Sequence, residues 1–147
     1  MVKPTETREI HVTNIFPVES IKLNTVEQLV SVQLYRLLAS GQPVSIERLA
    51  SEVKLPRDAV QVILEQWPGV FYDEAYCVVG YWGLALPKMS HRFEINGQVL
   101  YTWCAWDSLF IPEILGVTAQ VESFCPVTGN KIRLTVAPDL VKHADPP

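Results

Sequence analysis

GVFYDEAYCVVGYWGLAL, residues 69–86, decides how the chain is read. Aromatic and β-branched residues crowd both ends around the polar DEA break, the pattern of short strands joined by a turn. Upstream, Val26, Leu29, Val30, Leu34, Leu37 and Leu38 recur at helical spacing. Asn24 or Thr25 stands where an N-cap belongs and Gly41 where the helix stops. A second helix is expected from SIERLASEV, capped by the Ser45 hydroxyl, and LPRDAV breaks the chain and restarts a third helix through Trp67. Three helices followed by a hairpin predict a winged-helix-like module over residues 21–86. Residues 1–20 mix charged, β-branched and proline residues without a period and read as an N-terminal arm.

Downstream of Pro87 the pattern changes. HRFEINGQVLYTW alternates apolar and polar residues on either side of Asn96-Gly97, a dipeptide suited to a tight hairpin turn. CAWDSLFIPEILG reads as a helix or helical turn interrupted by Pro112, and TAQVESFCPVTGNKIRLTV as two further strands around PVTGN. The tail, APDLVKHADPP, runs out in prolines. The expected fold class is therefore α+β: the three-helix module, then a small, mostly antiparallel, β-rich region over residues 87–147. The internal boundary is expected near Leu86–Ser90.

Composition narrows the function. With 48% hydrophobic and 19% charged residues, 147 positions suffice for a real core, and a net charge of −4 opposes non-specific attraction to nucleic acid or anionic lipid. The third helix, PRDAVQVILEQW, offers Arg57 as its sole base beside Asp58 and Glu65, poor equipment for phosphates, so the module reads as a platform rather than a DNA reader. No apolar run approaches the roughly 18 residues of a membrane span. The start, MVKPTETREIHV, lacks a signal-peptide core, so a cytoplasmic protein without a membrane partner is expected. Three cysteines with no CxxC spacing, beside three histidines, fit neither a disulfide framework nor a structural zinc site.

The chemistry-bearing residues are Cys104 and Asp107, three positions apart in YTWCAWDSLFIP. A helix beginning near Trp103 or Cys104 would put both on one face. The positive end of a helix favours thiolate, the form that attacks electrophiles and binds soft metals, while apolar surroundings favour a protonated acid. Spacing alone leaves a second reading open, a buried thiol beside a helix-capping aspartate. Cys125, before Pro126, and Cys77, in the wing, read as structural.

Taken in order, GQPVSIERLASEVKLPRDAVQVILEQW, GYWGLAL, FEINGQVLYTWCAWDSLFIPEILG and CPVTGNKIRLTVAPDLV make the chain resemble the organomercurial (alkylmercury) lyase family over roughly residues 25–141. WCAWDSLFIP is the most specific segment. The resemblance implies an enzyme that cleaves carbon–mercury bonds by protonolysis without an added cofactor. It implies that Cys104 attacks and holds the mercury. Asp107 would take the thiol proton and deliver it to the departing carbon, with Trp103 and Trp106 lining the pocket for the organic group. Family members typically continue for several tens of residues and supply a second catalytic cysteine there, whereas this chain stops at Pro147. The expectation is slower turnover, or none, with an exogenous thiol in the second role, and self-association through core left uncovered. Cys125 matches a family cysteine usually regarded as structural. A non-catalytic metal or ligand sensor that kept the pocket is the alternative, and a winged-helix DNA-binding regulator is a further one.

Overall fold

The computed structural model describes residues 23–147, and the arm expected over residues 1–20 lies outside the described residues. Among the described residues three helices come first: α1 (Thr25–Leu38), α2 (Ile46–Val53) and α3 (Arg57–Gln66). The caps are those the sequence signals. Asn24 Oδ1 accepts the Glu27 amide at 2.8 Å, and Ser45 Oγ accepts that of Arg48 at 3.1 Å. Each cap satisfies a backbone donor that no helical carbonyl can reach. Lys54, left-handed at φ 57°, closes α2 and lets the chain turn directly into α3.

Strands β1 (Val70–Tyr72), β2 (Val78–Tyr81), β3 (Leu84–Ala85), β4 (His91–Ile95) and β5 (Gln98–Thr102) follow. Then come α4 (Asp107–Leu115), β6 (Ala119–Phe124), β7 (Lys131–Val136) and β8 (Val141–Asp145). All eight strands belong to one antiparallel sheet in the order β1-β2-β3-β5-β4-β6-β7-β8. The fold is thus α+β, a three-helix module with its hairpin followed by a β-rich region. β3 pairs with β5 through Leu84↔Thr102 and Ala85↔Tyr101, so the sheet runs on through the expected boundary near Leu86–Ser90. Asn96 and Gly97 both adopt positive φ, 47° and 78°, the hand that joins β4 to β5 in a two-residue hairpin.

Two expectations are corrected. The tail does not run out before Pro146: it forms β8, because Ala137 donates to the Leu140 carbonyl at 2.8 Å and the turn folds Val141–Asp145 back onto the open edge of β7. Val26 and Leu29 are exposed, and α1 buries Val30, Leu34, Tyr35, Leu37 and Leu38 instead. The core joins those side chains to Leu49, Leu64, Leu84, Phe93, Leu100 and Ile111. Burial of a side chain such as Phe93 contributes on the order of 1.5–3 kcal/mol. Among the described residues no helix is long and apolar enough to cross a membrane. Arg57 is engaged by Glu47 at 2.6 Å and by Gln61, so the one base of α3 is tied to its own surface.

Candidate active site

Backbone geometry between β5 and α4 builds the site. The Trp103 amide donates to the Gly83 carbonyl at 2.9 Å, which prolongs the sheet past Thr102 and keeps this stretch out of helical conformation. α4 therefore starts at Asp107, not at Trp103 or Cys104 as its sequence suggested, and Cys104 sits in the turn ahead of it. The aspartate still finds its neighbour: Asp107 Oδ2 accepts the Cys104 amide at 2.9 Å. This bond ties the thiol-bearing turn to the first residue of α4.

Burial separates the two groups. Cys104 is exposed and is a free thiol, while Asp107 is 6% exposed. Among the described residues no basic side chain forms an ion pair with Asp107. Gly83, at φ 95°, lies flat against its carboxyl: a Cβ there would come within 2.8 Å of Asp107 Cβ and nearer still to Oδ1. Only a residue without a side chain leaves the carboxyl in place. Beneath it, the buried hydroxyls of Thr102 and Ser108 share a hydrogen bond of 2.8 Å, which fastens the end of β5 to α4. At the other end of α4, left-handed Gly116 turns the chain, and the amides of Gly116 and Val117 both reach the Pro112 carbonyl.

An apolar hollow of about 320 Å³ is lined by Phe71, Val79, Ala85, Pro87, Met89 and Trp103, the residue before Cys104; Cys104 and Asp107 are not part of that lining. Phe71 meets the Trp103 ring edge-on at 5.3 Å, and Gly69 lets both Trp82 and Trp103 approach the β1 entry closely. Trp106 is elsewhere. It caps α4 at 60% exposure and lies outside this lining, because its position at the N-terminus of the helix turns it to solvent.

The remaining thiols sit in turns of the sheet. Cys77 occupies the β1–β2 turn, its amide accepted by Asp73 Oδ1 at 2.9 Å. Cys125 opens the β6–β7 turn, where the Thr128 hydroxyl and then the amides of Thr128 and Val127 hold its thiol below the usual thiol range. The register His91↔Thr102 and the His91–Ser123 bond of 2.7 Å put Cys125 at the same end of the sheet as Cys104. Two strand spacings, roughly 10 Å, separate their strands.

An exposed thiol and a buried acid tied to its amide form a pair that can bind a soft electrophile and move a proton. Comparison with known proteins finds the same region: the alkylmercury lyase family matches residues 84–147. Relatives extend the likeness across the helices. An alkylmercury lyase of Staphylococcus epidermidis is 44% identical over 113 residues, 77% of this chain and 52% of the relative. That of Pseudomonas putida is 44% identical over 115 residues, 78% of this chain and 54% of the relative. The chain thus spans about half the length of these alkylmercury lyases. The fold also matches the crystal structure of the mercury-bound form of MerB2, with a TM-score of 0.71 and 22% identity over 85% of this chain and 62% of that one.

Gly83 is the site residue that the sequence reading passed over. Its signal was the glycine inside GYWGLAL, which marks a tight turn but not what the turn faces.

Proposed function

We propose that the protein is an organomercurial-lyase-like enzyme in which Cys104 captures the mercury of an organomercurial and Asp107 carries the proton. The observation that carries this reading is the 2.9 Å bond from the Cys104 amide to the buried Asp107 carboxyl. In the proposed sequence the Cys104 thiol gives its proton to Asp107 as the sulfur–mercury bond forms. Asp107 then returns that proton to the carbon as the carbon–mercury bond breaks, so the organic group leaves as a hydrocarbon and divalent mercury stays on sulfur. A thiolate is the fitting ligand for a soft metal, and a positioned carboxylic acid is the fitting donor to a carbanion-like leaving group. The hollow walled by Trp103 receives the organic group. Trp106, exposed ahead of α4, is assigned no more than a rim position. Residues 21–86 act as the platform that brings Trp82 and Gly83 to the site, and residues 87–147 supply Cys104 and Asp107.

A second thiol is needed to draw mercury off, and a small exogenous thiol of the cytoplasm takes that part. Self-association belongs to the same proposal, resting on exposed Leu140 and Val141 at the start of β8, the edge strand. A sedimentation coefficient that rises with protein concentration checks it.

The decisive assay mixes the full chain with an organomercurial and excess small thiol and follows hydrocarbon release. Catalytic release, many hydrocarbons per chain, is expected. Stoichiometric mercury binding without any hydrocarbon would instead establish the sensor.

A further inference from the structure

The β2–β3 connection has two consecutive residues at positive φ, Trp82 at 33° and Gly83 at 95°. Glycine takes such a conformation freely, but tryptophan does so under strain, and strain of this kind persists where the surroundings hold it. Hydrogen bonds from several elements hold this turn. The Trp82 amide donates to the Gly69 carbonyl at 3.1 Å, and the Gly83 carbonyl accepts the Trp103 amide at 2.9 Å. Another comes from a side chain on α1: the Tyr35 phenol donates to the Trp82 carbonyl at 2.8 Å. Tyr35 is 5% exposed, and its ring packs on that of Tyr81 at 4.9 Å. Burial first, then the neighbouring Tyr81 and Asp107, keeps its phenol well above the ordinary range, so the hydroxyl remains a donor and does not itself exchange protons near neutral pH.

The turn has a second face, where Gly83 meets the Asp107 carboxyl with no room for a methyl group. A shift of the Trp82–Gly83 backbone is therefore passed to the acid, and from the acid to the Cys104 amide that it accepts. We propose that Tyr35 is a positioning residue: by clamping the Trp82 carbonyl it fixes the turn, and the turn fixes the Asp107 carboxyl beneath Cys104. The inference rests on the assignment of Asp107 as proton carrier. It adds a residue on the helical module, about seventy positions upstream in the chain, to the machinery of the site.

Tyr35→Phe removes the donor and keeps the ring. Gly83→Ala pushes on the carboxyl directly, and Ser31→Ala serves as the control. The control deletes another hydrogen bond of α1, the 2.8 Å contact with the Tyr81 hydroxyl, without touching the turn. Two readouts on the full chain separate the outcomes: exchange of the Cys104 amide followed by NMR, and kcat against KM for hydrocarbon release. For Tyr35→Phe the Cys104 amide is expected to exchange about tenfold faster and kcat to fall about tenfold with KM unchanged. Gly83→Ala should lower kcat by about a hundredfold, the scale of a misplaced reacting group. Ser31→Ala should alter neither. Wild-type values in Tyr35→Phe, or equal losses in Ser31→Ala, would overturn the proposal. Should Tyr35→Phe fail to fold, an unchanged Cys104 amide in Gly83→Ala would do the same. If the wild type releases no hydrocarbon, the lyase reading fails, and amide exchange still decides whether Tyr35 positions the acid.

Discussion

Replacing Cys104 with serine is expected to bring hydrocarbon release to background and to abolish mercury retention at the site, with the fold intact. The thiol is exposed in the turn ahead of α4, so exchanging sulfur for oxygen opens no core cavity. Surface changes of this size stay within about 0.5 kcal/mol of wild-type stability. The chemical change is far larger. A serine hydroxyl is a hard, protonated ligand near neutral pH, whereas mercury is bound by soft thiolate. Hydrocarbon measured by gas chromatography, and mercury per chain after desalting in competing small thiol, check the expectation. Release at the wild-type rate would remove Cys104 from the mechanism. Mercury retained without release would direct attention to Cys125, whose thiol is held in the more acidic range by the Thr128 hydroxyl and the adjacent amides.

Replacing Asp107 with asparagine is expected to divide capture from cleavage. The amide oxygen of asparagine can still accept the Cys104 amide, and the side chain still fits against Gly83, so mercury capture should survive. The proton step should not. Loss of a positioned acid–base group slows such reactions by about 10²–10⁴-fold. Stoichiometric mercury binding alongside the lost release shows that the folded site persists. A variant that binds mercury and releases hydrocarbon at the wild-type rate would show that the proton comes from elsewhere.

Much of the fold was legible because its signals are local. Asn24 and Ser45 cap helices through bonds to residues three positions on, and Asn96-Gly97 sets its own turn by backbone preference. The spacing of Cys104 and Asp107 was legible too, while the roles given to them belong to the proposal. Where the reading failed, the deciding contact was distant in sequence. α4 starts late because Trp103 is held by Gly83, twenty positions earlier, and the tail becomes β8 because β7 presents an open edge. The resemblance implied Trp106 as pocket lining, but its place ahead of α4 leaves it exposed.

Identity and spacing of residues thus determined that this chain is α+β, that it carries a thiol and an acid three positions apart, and which family pattern they match. Tertiary structure alone decided that the acid is buried and the thiol open, that Gly83 lies against the carboxyl and that Tyr35 bonds the Trp82 carbonyl. The reason is physical: capping and turn formation act between near neighbours, whereas burial and the fit of a backbone against a carboxyl arise only when remote segments pack together.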